Sequence, residues 1–202
     1  MNRRGSRIAI LAAMLALRGC VNAALGVWML TRRPGWTDVF DAGSIYAITD
    51  GIIGLLAVAL IVSLTPGGLL RFLAAITCID AIGRLSAGIA LRAFPGIPHV
   101  PMTIVPFFAA LGAGVAGLGV IGMTAWLVAR AHSHRSWSKT ADVLFDPLAA
   151  AALVSFGVGL VLFTDPPATV DMLRVVAASA SGALALVFLT ASFGAIALRR
   201  RS

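Results

Sequence analysis

Four charged residues lie inside long apolar stretches of the sequence, where a charge needs a partner. They are Arg18, Asp50, Asp80 and Arg84, two of each sign. A charge in the hydrocarbon core of a membrane costs about 2.5–3.5 kcal/mol on insertion scales, so such residues pair with one another or mark a path for ions or protons. The pattern therefore predicts an intramembrane charge network. Its use stays open between a static network that fixes helix register and a proton or ion relay.

The depths of these residues suggest how they pair. Arg18 and Asp80 each lie about ten residues from the inner end of their apolar stretch, whereas Asp50 and Arg84 lie about eight residues from the outer ends. Equal depth predicts two ion pairs, Arg18 with Asp80 and Arg84 with Asp50. Because Asp80 and Arg84 are four residues apart, they would share one helix face, and all four side chains could form one network.

The histidines and cysteines do not form a pattern typical of a catalyst or a metal site. His132 and His134 are two residues apart, so they would diverge on a helix, and no cysteine or carboxylate is close by. Cys20 and Cys78 both fall inside apolar stretches, where a zinc site is not expected. No serine, histidine and acid arrangement and no paired carboxylates stand where a catalyst needs them. We expect no catalytic residue, bound metal or cofactor.

A run of glycines between residues 112 and 122 resembles a phosphate-binding pattern when it is read out of context. The run lies inside a continuous apolar stretch rather than between a strand and a helix, so a dinucleotide site is not expected. Small residues at this spacing favour close packing of membrane helices.

The composition explains where these residues must lie. Of the 202 residues, 59% are hydrophobic and 12% are charged, against about 25% charged in an ordinary soluble domain. The net charge of +8 does not indicate nucleic-acid binding, because the basic residues stand mainly at the ends of apolar segments. That placement is typical of a membrane protein that contacts lipid headgroups. The lipid bilayer is therefore the expected partner.

Six segments are long and apolar enough, or nearly so, to cross a membrane as helices. They run from Ile8 to Thr31, Gly43 to Leu64, Leu69 to Arg92, Thr103 to Ala129, Pro147 to Thr164 and Val170 to Leu198. Turn sequences rich in proline and glycine separate most of them. The sequence predicts an all-α polytopic membrane protein, a single transmembrane domain over residues 1–202, with helical hairpins at about 8–64, 69–129 and 147–198.

The basic residues predict the orientation of the chain. With the amino terminus inside, ten Lys and Arg residues fall near the inner face and four near the outer face. Loops rich in Lys and Arg stay in the cytoplasm. We expect both termini to be cytoplasmic.

The three hairpins share a small motif. A glycine followed seven or eight residues later by a proline recurs near the outer end of the first, third and fifth segments, as Gly26 with Pro34, Gly88 with Pro95 and Gly159 with Pro166. Hairpins of equal orientation are parallel repeats, which are related by an axis along the membrane normal.

These features together resemble the HdeD-like membrane proteins, a bacterial family of short helix-pair repeats. The resemblance lies in Leu17-Arg18-Gly19, Gly26, Pro34-Gly35 and Tyr46 to Ile52, with weaker matches at Gly88 with Pro95-Gly96 and at Gly157 and Gly159 with Pro166. It implies a six-span protein of the bacterial inner membrane, associated with acid or general stress resistance and without an established biochemical activity.

Three functions follow as expectations. The first is an HdeD-like membrane protein that is not an enzyme and contributes to acid or envelope stress tolerance. The second is a small channel or transporter that moves protons or ions through the four intramembrane charges. The third is an accessory subunit whose glycine-rich segments pack against a membrane-protein partner or a second copy of the chain.

Overall fold

The computed structural model describes residues 3–64, 74, 78, 81–86, 88, 89, 92, 93, 114, 115, 117, 139–166 and 168–201. Within these residues the chain is helical and contains no strand. Four long helices are α1 (Arg3–Arg32), α2 (Trp36–Leu64), α3 (Lys139–Thr164) and α4 (Val170–Arg201). Shorter helical pieces at 74, 78, 81–86, 88, 89, 92 and 93 are called the central segment below.

A three-residue turn joins α1 to α2, at the sequence Arg33-Pro34-Gly35 that predicted a break. Arg33 has a positive φ of 46°, the left-handed conformation that commonly ends a helix. Asp38, in the first turn of α2, accepts a hydrogen bond from the Gly35 amide at 3.2 Å. Such a bond satisfies an otherwise unpaired amide at the helix start. As a result α2 begins seven residues before the apolar segment Gly43 to Leu64.

The second described hairpin consists of α3 and α4. Residues 165 and 166 lie outside both helices, at the predicted proline turn, and α4 begins at Val170 as expected. The start of α3 differs from the prediction, because the helix begins at Lys139 and not at Pro147. Apolar composition does not reveal the polar turns with which a helix can begin, and the first turns of α3 contain Lys139, Thr140 and Asp142.

The first and last helices pack against each other along their length, in opposite directions. Near one end, the Ser192 hydroxyl donates a hydrogen bond to the Ala12 carbonyl at 2.8 Å. Near the other end, a Cβ added to Gly26 would lie 3.3 Å from the Ala178 carbonyl oxygen. Small residues thus allow the two backbones to approach closely, as in membrane helix pairs.

A second close contact joins α2 to the central segment. A Cβ added to Gly51 would lie 2.8 Å from the Ala81 carbonyl oxygen, and one added to Gly88 would lie 2.9 Å from both the Ile48 amide and the Ser44 carbonyl. Real Cβ atoms essentially never approach another atom so closely, so only glycine fits these positions without a shift.

The buried apolar residues form two main clusters at different levels of the bundle. One joins Leu11 and Leu15 of α1 to side chains of α2, the central segment and α4. The other joins Met29 of α1 to Val39, Leu162 and Leu173 on the remaining helices. The positions in between on α1 carry Arg18 and Asn22, which are buried and polar.

Three helices are long and apolar enough to cross a membrane, as judged over the described residues. They are Gly5–Arg32, Trp36–Ser63 and Val170–Ala197, with mean hydropathies of 2.0, 2.3 and 1.9. Their outward faces carry large apolar side chains, among them Leu30, Ile52 and Leu186. The described part of the chain is therefore all-helical, with the surface and helix lengths of a membrane protein.

Candidate functional site

The centre of the bundle contains an ion pair between α1 and α2. Arg18 donates Nε–H to Asp50 Oδ1 at 2.6 Å and Nη2–H to Asp50 Oδ2 at 2.5 Å. Both side chains are almost fully buried, with 2% and 3% of their surface exposed. This is the two-pronged geometry in which a guanidinium and a carboxylate bind most strongly.

A second arginine reaches the same carboxylate from the central segment. Arg84 Nη1 lies 3.3 Å from Asp50 Oδ2, and 16% of the Arg84 side chain is exposed. Asp50 therefore bridges two guanidinium groups that belong to two different parts of the chain. We call Arg18, Asp50 and Arg84 the charge cluster.

Two neutral polar side chains extend the charge cluster by one helical turn. The Tyr46 hydroxyl donates to Asn22 Oδ1 at 2.8 Å, and Arg84 Nη1 lies 3.4 Å from the same hydroxyl. Asn22 Nδ2 donates to the Arg18 carbonyl at 2.8 Å. The Asn22 side chain is completely buried, and its oxygen and its nitrogen both have partners. Buried amides need such partners, because an unpaired one is costly.

The last helix contributes an aromatic ring to the charge cluster. Phe188 of α4 lies under the Arg18 guanidinium, with 4.2 Å between Cζ and the ring centroid. A cation over an aromatic face within about 6 Å is attracted by the ring. The Arg18 side chain thus touches both α2 and α4, and the contact of Asp50 with Arg84 connects them to the central segment.

The register of the first hairpin explains why Arg18 meets Asp50. Each residue is sixteen positions from Pro34 in the turn, and Asn22 and Tyr46 are each twelve positions from it. Residues equally far from a tight turn lie opposite each other in an antiparallel helix pair. The apolar segment that begins at Gly43 does not predict this relation, because α2 begins at Trp36 and Asp50 therefore lies deeper in the helix than the segment implies.

The structure brings together three of the four residues expected in the intramembrane network. Arg84 lies beside Asp50, the pair expected from their equal depth, and Arg18 joins them. Asp80 lies outside the described residues, so the expected pair of Arg18 with Asp80 stays a prediction. Sequence reasoning had not assigned Asn22, Tyr46 or Phe188 to the network. Spacing could have identified two of them, since Asn22 follows Arg18 by four residues and Tyr46 precedes Asp50 by four.

The geometry of the charge cluster favours a structural role, in which it ties helices together, over a catalytic role. Guanidinium donors occupy both oxygens of the Asp50 carboxylate, and only 3% of that side chain is exposed. A carboxylate used as a base or nucleophile needs a reacting group within hydrogen-bond reach. The arrangement can tie helices together, and it could move a proton only if Asp50 exchanged its partners.

Several other residues singled out in the sequence fall outside this region. His132 and His134 lie outside the described residues, as does the glycine run apart from Gly114 and Gly117, which are helical. Over the part of the chain that the structure describes, no three His, Cys, Asp or Glu residues are grouped as metal ligands would be.

No protein-family model matches the chain, and no curated protein and no solved structure matches it. The HdeD-like resemblance therefore stays a prediction. It rests on residues of this sequence, chiefly Leu17-Arg18-Gly19, Gly26, Pro34-Gly35 and Tyr46 to Ile52.

Proposed function

We propose that the chain is a multi-pass protein of the bacterial inner membrane, of the HdeD-like type, that contributes to acid or envelope stress tolerance without being an enzyme. The observation that carries the molecular part of this proposal is the charge cluster. It lies between two apolar clusters and joins α1, α2 and the central segment. The stress association comes from the family resemblance.

The proposed topology is six spans in three hairpins with both termini in the cytoplasm. The glycines of the repeat motif support it. Gly88 contacts α2, the return helix of the first hairpin, and Gly26 contacts α4, the return helix of the last. If the three hairpins form a ring in chain order, each of these glycines packs on the second helix of the preceding hairpin, and the last hairpin precedes the first. The third glycine, Gly159, is buried as this arrangement requires.

The ring arrangement predicts that Gly159 packs on the fourth apolar segment. Gly159→Leu should then lower the yield of folded protein, whereas Gly157→Leu on the same helix should not. Gly157 is exposed, and no described atom lies within 4 Å of a Cβ built on it. Size-exclusion profiles of the two purified variants would measure the difference. Equal behaviour of both variants would contradict the ring.

The stress role can be tested in a strain from which the gene is deleted. Survival after acid challenge should fall, and wild type or Asp41→Asn should restore it. Asp41 is the matched control, because its pair with Arg92 is long at 3.8 Å and both side chains are exposed. Asp50→Asn should fail to restore survival and should accumulate less in the membrane. Unchanged survival of the deletion strain would contradict the proposed role.

A proton or ion pathway is the second candidate function. It is favoured by the partial exposure of Arg84, 16%, and by the hydrogen bonds that lead from Arg84 to Tyr46 and Asn22. Chains of polar groups in a membrane mark such pathways.

Proton flux into proteoliposomes separates the two candidates. A pathway predicts flux with wild type that is lost in a folded Asp50→Asn variant. A structural cluster predicts no flux above protein-free vesicles, together with reduced stability of Asp50→Asn. Asp41→Asn again serves as the control, and it should match wild type in both measurements.

A further inference from the structure

An arginine of the last helix holds the turn between α1 and α2. Arg174 of α4 donates Nε–H to the Pro34 carbonyl at 2.7 Å and Nη2–H to the Arg33 carbonyl at 2.8 Å. Its third nitrogen, Nη1, pairs with the Asp171 carboxylate three residues earlier on α4. All three nitrogens of the guanidinium thus have acceptors. We call Arg174 with these acceptors the latch, and the end of the bundle where it lies the turn end.

The position of the acceptors explains why an arginine binds there. Arg33 has a φ of 46° and directly follows the last residue of α1. Carbonyls at the carboxyl end of a helix lack intrahelical partners and attract a cation. Only 13% of the Arg174 side chain is exposed, so the guanidinium needs acceptors in place of water. Hydrogen bonds from a charged donor are the stronger kind, and the latch joins residues 140 positions apart.

An apolar layer lies directly behind the latch. It contains Met29 of α1 and Leu173 of α4 together with side chains of α2 and α3, and we call it the turn-end cluster. Met29 is four residues before Arg33 and seven residues after Asn22. At 1.5 Å per residue, it lies about 6 Å from the level of the latch and about 10 Å from the level of Asn22. The turn-end cluster therefore separates the charge cluster and its neutral extension from this end of the bundle.

Two separate hairpins form the turn-end cluster. Residues 33–35 connect α1 to α2, and residues 165–169 connect α3 to α4. The latch connects these two hairpins at the turn end. The apolar contacts behind it are non-directional, so they do not fix one hairpin against the other as directed hydrogen bonds do.

We propose that the latch keeps the turn end of the bundle closed, and that release of the turn by Arg174 admits water through the turn-end cluster toward the charge cluster. One side chain makes all three contacts, so they are lost together. The opening is local, because the bond from Ser192 to Ala12 holds α4 to α1 farther along the helices. The proposal does not depend on the number of spans, their orientation or the stress role.

The test measures how fast a buried thiol reacts with a charged reagent from water. The full-length protein with both native cysteines replaced, C20S/C78S, is placed in lipid nanodiscs, where both faces are open to added 2-sulfonatoethyl methanethiosulfonate. Met29→Cys reports on the turn-end cluster, and Leu15→Cys reports on the buried cluster on the other side of the charge cluster. Mass spectrometry of the intact protein follows the labelling with time.

Met29→Cys should react slowly while Arg174 is intact. Arg174→Gln should raise its rate by about tenfold or more, because charged hydrogen bonds are lost, and should leave Leu15→Cys unchanged. Arg174→Lys keeps the charge but cannot span both carbonyls, so it should raise the rate by a smaller factor. It also provides the test if Arg174→Gln does not fold. The matched control is Arg32→Gln, an exposed arginine at the same end, which should have no effect.

Three results would overturn the proposal. An unchanged rate at Met29→Cys after substitution of Arg174 would show that the latch does not close the turn-end cluster. An equal rise at Leu15→Cys would show that the whole bundle had loosened. An equal effect of Arg32→Gln would assign the change to surface charge. None of these results bears on proton flux or acid survival, so failure of the latch and failure of the proposed function are distinguishable.

Discussion

Helix α1 meets its two principal neighbours in different ways. Its contact with α4 consists of many small contributions along the helix, including Gly19 against Leu189, Gly26 against Ala178 and the bond from Ser192 to Ala12. Its contact with α2 is dominated by the ion pair of Arg18 with Asp50 and the hydrogen bond of Asn22 with Tyr46.

Close packing and buried charge therefore stabilise this bundle in different ways. Packing is distributed, so the loss of one contact leaves the others in place. A buried charge is concentrated, because removal of one partner leaves the other uncompensated in an apolar interior. The α1 to α2 contact should therefore be selective for register and sensitive to single substitutions, whereas the α1 to α4 contact should be more tolerant.

The largest effect is expected at Asp50. Asp50→Asn keeps the shape of the side chain but leaves the buried Arg18 without its carboxylate, so the free energy of unfolding should fall by about 3–5 kcal/mol. Unfolding by sodium dodecyl sulfate in mixed micelles would measure it. The double variant Arg18→Met with Asp50→Leu should be more stable than Asp50→Asn. If Asp50→Asn costs no more than Asp41→Asn at the exposed control site, the charge cluster does not hold the helices.

A smaller effect should separate two glycines that both lie in close contacts. Gly88→Ala places its Cβ 2.9 Å from backbone atoms of α2, which cannot move aside, and should cost about 1–3 kcal/mol of unfolding free energy. Gly19→Ala places its Cβ nearest to side-chain atoms of Leu189, at 2.7 and 2.9 Å, which can shift. It should therefore cost less than Gly88→Ala.

The control for both glycine variants is Gly43→Ala in α2, where nothing lies within 4 Å of the added Cβ. Because alanine favours a helix by about 1 kcal/mol over glycine, this variant should be neutral or slightly stabilised. The same unfolding titration applies. A loss at Gly43 as large as that at Gly88 would contradict close packing as the cause of the loss at Gly88, because nothing lies near the Cβ added at Gly43.

Tyr46→Phe tests the neutral extension of the charge cluster. It removes the donor to Asn22 Oδ1 and leaves that buried oxygen without this bond, which should cost about 1–2 kcal/mol of unfolding free energy. Combining Tyr46→Phe with Asn22→Leu should cost less than the sum of the two single variants. Strict additivity in this double-mutant cycle would contradict a coupled pair.

The smallest effect is expected at Phe188, where packing and charge meet. Phe188→Leu keeps an apolar side chain but removes the ring beneath Arg18, which should cost about 0.5–2 kcal/mol of unfolding free energy. The loss attributable to the ring should vanish in the Arg18→Met background. A similar loss in both backgrounds would assign the effect to packing volume alone.

Much of the local structure could be predicted from the sequence, and the errors have identifiable causes. The turns at residues 33–35 and near Asp165-Pro166 are where proline and glycine predicted them. The beginnings of α2 and α3 were placed too late, because apolar composition locates the lipid-crossing part of a helix and not its polar ends. That error also affected the predicted charge network, because the depth of Asp50 was counted from Gly43 and α2 begins at Trp36.

The sequence by itself determined that Arg18, Asp50 and Arg84 need partners. Charged side chains in apolar helices have to find each other, because the hydrocarbon core offers no water as a substitute. It also determined that the described segments are helical, since a helix satisfies its own backbone polar groups within an apolar surrounding.

Only the tertiary structure decided that Arg18 and Arg84 meet at one carboxylate. The tight turn sets Arg18 opposite Asp50, and the close approach permitted by Gly51 and Gly88 brings Arg84 to the same carboxylate. The pairing of α1 with α4 likewise brings Ser192 to the Ala12 carbonyl, although the two residues are 180 positions apart in the sequence. Such contacts depend on how helix surfaces fit together in three dimensions, and the period and composition of single helices do not contain that information.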